Sequence, residues 1–420
     1  MLDAPLRIVG AAGSPYSRKL RAVLRYRRIP HAWVHRGSPE SRGLPEPRVD
    51  LLPRLILPRD DGVFEARVDS TLLIRDLETS YRERSVIPPD PAVAFLDSLL
   101  EDYADEWLTK AMYHYRWAFA ADVARAQAIM PRWFRTDMPE DHAVSLGRQF
   151  AERQIGRLAV VGSNETTASV IEESYRRLLL LLDAHLTRRR FVMGGRPGAS
   201  DFGLYGQLTQ LALVDPTPAA IALGTAPRVV AWVDVVEDLS GLEPTEADWI
   251  SRETVPETLR ALLAEAGRVY VPFLLANGEA LEEDGPAVVR HTHRLLEPGE
   301  QEFGAWDDPR AVPDTLTAVL AELGMRYLPW VSRACRDGVA DVVFEDGTLV
   351  PVRATDFLRD ARATLLARYL ESRSARLDAV LDRAGILPFF AEHVALAGRV
   401  PDYREPPRPA LNRPFPPADL

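Results

Sequence analysis

The chain has 420 residues, 46% hydrophobic and 27% charged, which is the balance of an ordinary soluble globular protein with two or three domains. Its net charge of −10 and its lack of a basic block argue against nucleic acid or an anionic membrane as a partner. A single cysteine, Cys335, excludes an intramolecular disulfide and a multi-cysteine zinc site, which favours a cytoplasmic location. Arginine supplies nearly all the positive charge, because Lys19 and Lys110 are the only lysines.

No segment predicts export or membrane insertion. Asp3 and Arg7 interrupt the apolar stretch that a signal peptide would need at the start of the chain. The longest apolar run, LLLLL at 178–182, is far shorter than a bilayer span. We therefore expect a protein without a membrane partner.

The first elements alternate between strand and helix. LRIVG at 6–10 has the alternation of a half-buried strand, and Ser14 is a candidate N-cap with Pro15 at the first helical position. The helix that follows has one apolar face, formed by Tyr16, Leu20, Val23 and Leu24. HAWVHR at 31–36 predicts a second strand, parallel to the first if the helix is a right-handed crossover.

A hairpin and a second helix come next. Pro53 precedes a strand in RLIL, the DDG at 60–62 predicts a turn, and VFEARV at 63–68 predicts the returning strand. Asp69 and Ser70 then begin another helix. The predicted order over the first 84 residues is β-α-β followed by β-β-α.

Beyond the prolines at 88–91 the pattern is helical. A spacing of four predicts a long helix that continues to Phe119, and its apolar positions are Phe95, Leu99, Tyr103 and Trp107. A further long helix is predicted over about 166–188, followed by the stretch FVMGGRPGASDFGLYGQLTQLAL at 191–213.

The last 170 residues contain an internal repeat. VPETLRALLAEAGRVYVPF at 255–273 and VPDTLTAVLAELGMRYLPW at 312–330 align without a gap, which indicates a duplicated helical unit rather than two amphipathic helices alike by composition. Residues 360–383 predict one more amphipathic helix. The proline-rich end, 401–420, is predicted to be extended, as a strap over the protein's own surface or as a ligand for a PxxP-binding partner.

This succession of motifs resembles the cytosolic glutathione S-transferase family. SPYSRKLR is similar to the family's first-helix motif, Pro53 in LLPRLIL to its cis-proline, and VDS at 68–70 to its acidic-serine pair. Asp201, near the start of a helix, resembles the residue that caps the buried helix of the family's second domain. Gly198 departs from the Ser or Thr that the family usually has three residues earlier.

The resemblance covers about residues 6–245 and implies an architecture. It predicts an α/β thioredoxin-like N-terminal domain followed by an all-α domain with additional C-terminal helices. The expected divisions are a glutathione-binding domain at 1–86, a transferase-like helical domain at 92–250, a helical extension at 251–400 and the proline-rich tail at 401–420.

The same resemblance implies a glutathione site. Ser14 would be the catalytic residue, donating a hydrogen bond to the thiolate of glutathione at the start of the first helix. The residues expected to bind glutathione are Pro15, Tyr16, Ser17, Leu52, Pro53, Asp69 and Ser70. The backbone of Leu52 would pair with the cysteinyl part, Ser70 would take the γ-glutamyl carboxylate, and Asp69 would face the γ-glutamyl ammonium.

Dithiol exchange of the CPYC type is excluded for this protein. Redox proteins carry CPYC where this chain has SPYS, and neither Ser14 nor Ser17 can form a mixed disulfide. A sulfur atom at this site has to come from a bound thiol. Each of these residues also has a purely structural interpretation, since Ser14-Pro15 and Asp69-Ser70 are ordinary ways to begin a helix.

Two functions remain open from the sequence. The first is a transferase that adds glutathione, as co-substrate and without a metal, to a small electrophile; Tyr113, Tyr115 and Trp117 are the candidates for lining the second-substrate site. The second is a non-catalytic binding or scaffolding protein of the same fold. The family resemblance also implies a homodimer. The closely spaced His291 and His293 have no acidic cluster beside them and are interpreted as surface residues rather than metal ligands.

Overall fold

The computed structural model describes residues 5–47, 50–59, 62–158, 161–165, 167–282, 338–343 and 349–354. The second repeat copy, Cys335, His291, His293, the helix predicted at 360–383 and the proline-rich tail lie outside them. Among the described helices, none alone has the length and apolarity of a membrane span; one consecutive pair reaches that length together but is bent by 113°.

A four-stranded mixed sheet forms the N-terminal domain. Its strands are β1 (Leu6–Gly10), β2 (His31–His35), β3 (Arg54–Pro58) and β4 (Phe64–Arg67), in the order β2-β1-β3-β4. β1 pairs with β2 in parallel, and β3 is antiparallel to both β1 and β4. The β-α-β and β-β-α order predicted from the sequence is confirmed.

Helices form the rest of the described fold. They are α1 (Pro15–Tyr26), α2 (Ser70–Ser80), α3 (Pro91–Asp102), α4 (Thr109–Ala118), α5 (Ala120–Phe134), α6 (Glu140–Ile155), α7 (Ala168–Leu186), α8 (Ala199–Leu211), α9 (Pro216–Thr225), α10 (Pro227–Val236) and α11 (Glu257–Glu282). The fold is thus a thioredoxin-like domain followed by an all-α domain, as expected. The predicted domain boundaries stay predictions.

The long helix predicted to reach Phe119 is present but not uniform. α3 and α4 are joined by a π-helical segment, Tyr103–Leu108, whose wider turn the spacing of apolar residues does not reveal. α5, α6 and α9 were not predicted. An antiparallel hairpin, β5 (Gly338–Val343) and β6 (Leu349–Ala354), was also not predicted, and it lies in a region that we expected to be helical.

The buried helix α8 shows why Gly198 replaces a hydroxyl residue. Asp201 accepts hydrogen bonds from the amides of Gly198 and Val192, both at 2.9 Å. The Asp97 carboxylate from α3 accepts from the amides of Ala199 and Ser200, and a Cβ at 198 would lie 2.2 Å from one of its oxygens. A carboxylate from another helix therefore satisfies the helix N-terminus and occupies the space that a serine would need.

An ionic network joins the two domains beneath the site. The Lys19 ammonium on α1 is fully buried, 2.5 Å from Asp105, 2.7 Å from Glu101 and 2.9 Å from the Thr71 hydroxyl. Arg75 on α2 contacts the other oxygen of Glu101 at 2.5 Å. We call these five residues the domain network; it balances two cations against two carboxylates. Burial alone would lower the pKa of Lys19, but the Asp105 and Glu101 carboxylates outweigh it and hold that pKa above its ordinary value.

The first part of the C-terminal extension packs on the helical domain. Leu259, Leu263 and Ala266 of α11 are fully buried in the main core. Glu265 accepts a hydrogen bond from Arg177 of α7 at 2.8 Å, and the Tyr270 hydroxyl contacts Asp102. The described first copy of the repeat is therefore part of the helical core rather than a separate unit.

Replacing Lys19 by methionine should lower the free energy of unfolding by about 3–5 kcal/mol, because two buried carboxylates lose their common partner. Urea unfolding measures this. Arg148→Met, at an exposed arginine on α6, is the control and should change stability by less than about 0.5 kcal/mol. Equal effects of the two substitutions would contradict the importance of the domain network.

Candidate functional site

The candidate site lies at the carboxyl edge of the two parallel strands. β1 ends at Gly10 and β2 at His35, and the amide of Arg36 donates to the Gly10 carbonyl at 2.9 Å. α1 begins just after β1, so its N-terminus opens at the same edge. Ligands of open α/β sheets commonly bind outside this edge, where loops and helix N-termini meet.

Ser14 caps α1 as predicted. Its backbone is extended (φ −97°, ψ 113°), and its hydroxyl oxygen accepts from the Ser17 amide at 3.2 Å. The hydroxyl hydrogen remains available to donate, because the cap uses only an oxygen lone pair. The side chain is partly exposed, whereas Pro15 at the first helical position is buried. Ser14 thus presents a donor beside a helix N-terminus.

Tyr16 and Ser17 use their hydroxyls inside the protein. Tyr16 donates to the Asp105 carbonyl at 2.7 Å and lies 2.8 Å from the Thr109 hydroxyl. Desolvation raises the pKa of Tyr16 well above its ordinary value, so the phenol stays protonated at neutral pH. Ser17 is fully buried, and its oxygen accepts from the Ala11 amide at 3.4 Å. Both residues fix the position of α1 on the helical domain and on its own loop.

A cis peptide bond joins Leu52 to Pro53, as the resemblance predicted. Arg54 pairs with Val9, so the register continued by one residue places Pro53 beside Gly10. Among the described residues, the backbone amide and carbonyl of Leu52 have no hydrogen-bond partner. An extended peptide could form hydrogen bonds with both the amide and the carbonyl of Leu52.

The start of α2 supplies a second helix N-terminus. The Asp69 carboxylate caps it, accepting from the amides of Thr71 at 3.1 Å and Leu72 at 3.3 Å. Asp69 has φ +78°, a conformation that costs a non-glycine residue about 1–3 kcal/mol and that clusters at ligand sites. Ser70 is buried at the first helical position, and its amide has no partner within the described part of the chain.

Three residues that the sequence did not single out hold the loop before Ser14. Arg18 and Gln210 donate to the Ala12 carbonyl at 2.8 and 3.3 Å, and Arg116 donates to the Gly13 carbonyl at 3.4 Å. Arg116 is itself paired with Asp215 at 2.8 Å. Arg116 and Gln210 lie about one and two hundred positions further along the chain, so no local motif could have found them.

The three candidates for the second-substrate site pack inside the helical domain. Tyr115 is fully buried and stacks on Phe119 with ring centroids 5.3 Å apart. Trp117 is 3% exposed and packs against Phe150, and the Tyr113 hydroxyl donates to the Gln154 carbonyl at 2.9 Å. Tyr115 also packs on Tyr175 of α7 in the main core, whereas Trp117 and Tyr113 pack with residues of α5 and α6. Their role in a second-substrate site stays a prediction.

A pocket of about 500 Å³ lies instead between the residues after β2 and the end of α5. We call it the α5 pocket; its lining consists of His35, Gly37, Ser38, Pro39, Arg42, Arg132, Trp133, Phe134, Arg135, Thr136 and Asp137. A Cβ at Gly13 would lie 2.5 Å from the Trp133 ring, and one at Gly37 would lie 3.7 Å from Phe134. The pocket therefore adjoins the residue before Ser14.

No group of three or more His, Cys, Asp or Glu side chains in the described ranges is arranged to hold a metal ion.

Gly13→Ala should push the Trp133 ring away and lower the free energy of unfolding by about 1–3 kcal/mol. Gly224→Ala is the matched control, because a Cβ there meets nothing within 4 Å. That control should be neutral or stabilising by up to about 1 kcal/mol, since alanine is the better helix former. Chemical unfolding measures both variants. An equal loss of unfolding free energy in the two variants would show that the Trp133 ring does not pack against Gly13.

Two regions of the chain match sequence models of known protein domains, in the order in which the sheet domain and the helical domain occur. Residues 8–85 match the sequence model of the glutathione S-transferase N-terminal domain, and residues 149–234 match that of the C-terminal domain. A search of curated proteins found no significant match.

Solved structures also align with the chain. A glutathione S-transferase from Rhodospirillum rubrum F11 is 17% identical, with 55% of this chain and 87% of that one covered and a TM-score of 0.33. One from Methylobacterium radiotolerans JCM 2831, in complex with glutathione sulfonate, is 19% identical over 59% and 95%, with a TM-score of 0.34. Maleylacetoacetate isomerase from Anaeromyxobacter dehalogenans 2CP-1, with bound glutathione, is 17% identical over 55% and 89%, with a TM-score of 0.30.

The family assignment thus rests on the two matched domains, which occur in the order of the thioredoxin-like sheet and the helical domain described above. The chain carries the N-terminal and C-terminal domains of the glutathione S-transferase family, at residues 8–85 and 149–234.

Proposed function

We propose that the protein is a glutathione transferase in which the Ser14 hydroxyl and the N-terminus of α1 stabilise the thiolate of bound glutathione. The observation that carries this proposal is the position of Ser14, a partly exposed cap whose hydroxyl hydrogen is free to donate. A helix N-terminus adds about half a positive charge and unpaired amides.

The required energy is within reach of these groups. A free thiol has a pKa of about 8.5, so only a few per cent of it is nucleophilic at neutral pH. A pKa lower by about two units requires about 2.7 kcal/mol of preference for the anion. One charge-assisted hydrogen bond contributes about 1.5–3 kcal/mol, and the helix terminus about 0.3–1 kcal/mol more.

The remaining contacts would hold the tripeptide. The amide and carbonyl of Leu52, which have no partner among the described residues, suit antiparallel pairing with the cysteinyl residue. The unpaired Ser70 amide suits the γ-glutamyl carboxylate, and the exposed Asp69 suits the γ-glutamyl ammonium. Lys19 on α1 contacts Thr71 at 2.9 Å, so the domain network holds together the helix that would bind the thiolate and the helix that would bind the γ-glutamyl end of this ligand.

In the proposed reaction, the thiolate sulfur forms a bond to an electrophilic carbon. The leaving group departs with the electron pair of the broken bond, and the product is a thioether of glutathione. The proton of the thiol is released to solvent when the thiolate forms. Ser14 donates throughout and is not itself a nucleophile.

Calorimetric titration with reduced glutathione tests the site. We expect binding at millimolar concentration or tighter. Ser70→Ala should weaken it by about 10-fold, because the variant keeps the backbone amide but loses the hydroxyl as a second donor to the γ-glutamyl carboxylate. Ser80→Ala, at the other end of α2, is the control and should leave the affinity unchanged. If glutathione produced no heat of binding and did not change the melting temperature, the proposed glutathione site would be wrong.

Ser14→Ala should lower kcat/KM for conjugation of glutathione by about 10- to 1000-fold, the range for removing one donor to a developing charge. The affinity for glutathione should change much less, because the hydroxyl acts mainly on the ionised sulfur. Steady-state kinetics with 1-chloro-2,4-dinitrobenzene measures this. Glutathione binding without any turnover would instead support the non-catalytic binding or scaffolding function.

We also propose that the protein is a homodimer. Four large apolar side chains of the sheet domain are exposed, namely Leu51, Val63, Phe64 and Leu72. Phe64 lies on β4, one of the two edge strands, and an exposed apolar residue on an edge strand is suited to association.

Phe64→Asp should convert a dimer into a monomer in analytical ultracentrifugation, because a buried unpaired charge opposes association. Val144→Asp, at an exposed valine of α6, should leave the dimer intact. A monomeric wild-type protein at tens of micromolar would contradict the proposal.

A further inference from the structure

We infer that the α5 pocket receives the second substrate and selects an electrophile that carries a carboxylate on a flat, apolar body. This inference rests on the proposed glutathione transfer and goes beyond it, since it specifies the chemistry of the acceptor. The electrophilic carbon would face Ser14, and the carboxylate would remain unchanged while the bond to sulfur forms.

The position of the pocket suits this role. The Trp133 ring lies against Gly13, so the pocket wall begins one residue before the proposed thiolate donor. Its other wall follows β2, at the same sheet edge as the N-terminus of α1. The volume of about 500 Å³ falls within the range of small-molecule sites.

The charges of the lining favour an anion. The lining contains three arginines but only one acidic residue. These are Arg42, Arg132, Arg135 and Asp137. Arg132 is paired with Glu140 at 2.6 Å and Arg135 with Asp137 at 3.1 Å, but both acids are more than 70% exposed. Such surface pairs contribute about 0–1 kcal/mol, so a ligand carboxylate can replace them.

Arg42 is the strongest candidate for the carboxylate contact. Its guanidinium has no carboxylate partner within the described residues, and it is exposed on the loop that lines the pocket. Guanidinium groups bind carboxylates through two parallel hydrogen bonds, which gives geometric as well as electrostatic selection.

The aromatic residues account for the flat body. Trp133 and Phe134 both line the pocket, and Phe134 also contacts Gly37 on the opposite wall. Aromatic side chains bind flat apolar groups by offset or edge-to-face contact, which adds about 0.5–1.5 kcal/mol to simple burial.

Glutathione has its own glycyl carboxylate, which is a second source of the same chemistry. The two sources predict different mutant behaviour. If the arginines bind the glycyl carboxylate of glutathione, replacing them weakens the binding of glutathione and of all its derivatives equally. If the arginines bind the acceptor, replacing them weakens only the binding of derivatives that carry a carboxylate on the group attached to sulfur.

The test compares two ligands that differ only in that charge, S-(4-carboxybenzyl)glutathione and S-(4-carbamoylbenzyl)glutathione, with reduced glutathione alongside. Calorimetry on the full chain should show the carboxylate ligand bound about 10-fold more tightly than the amide in the wild type. Arg42→Gln should reduce this ratio to about 3-fold or less, and Arg42→Gln combined with Arg135→Gln to about 1. Arg148→Gln, at an exposed arginine outside the pocket, should preserve the ratio.

Each other outcome has a definite meaning. Glutathione binding with equal affinities for the two derivatives would overturn the inference and leave the proposed function intact. A parallel loss for all three ligands in Arg42→Gln would assign the arginine to the glycyl carboxylate and also overturn it. If no glutathione ligand bound at all, the proposed function would fail first, and this inference with it.

Discussion

The buried ammonium of Lys19 is the interaction on which the arrangement of the two domains depends. It belongs to α1 of the sheet domain, yet both of its carboxylate partners belong to the helical domain. A buried ammonium is costly unless carboxylates compensate for its lost hydration. The two domains therefore pack in the orientation that brings Asp105 and Glu101 to Lys19. The same α1 carries Ser14 at its N-terminus, and the site is therefore built on a helix whose position the second domain fixes.

Close packing reinforces this constraint. α8 approaches α1 so closely that a Cβ at Gly206 would lie 2.8 Å from the Pro15 carbonyl. The N-terminus of α8 is in turn satisfied by Asp97, which comes from α3. α3 continues through the π-helical segment to Asp105, the partner of Lys19. Charge, helix caps and small residues thus act on the same four elements. Two of these, α1 and α8, supply Arg18 and Gln210 to the loop that precedes Ser14.

The sequence predicted features whose physical cause is local. Local patterns predicted the Ser14 cap and the order of strands and helices along the N-terminal domain, and the family resemblance predicted the cis bond before Pro53 and the Asp201 cap. What it did not predict depends on residues far apart. Trp133 meets Gly13 and Arg116 meets Gly13 only after the helical domain has packed. The aromatic run at 113–117 was proposed to line the second-substrate site, and the sequence did not predict its packing: Trp117 is buried against residues of α5 and α6, and Tyr115 packs on Tyr175 of α7.

The scarcity of lysine has a consequence for the chemistry of the folded surface. The chain has only Lys19 and Lys110; the first is fully buried, and the second is 9% exposed and donates to the Val161 carbonyl at 2.7 Å. Burial lowers the pKa of Lys110 to about 8, yet its amine is shielded as well as less charged. Reagents that acylate amines therefore find almost no side chain to modify until the structure opens. Acylation of Lys19 would then be a direct record of separation between the two domains.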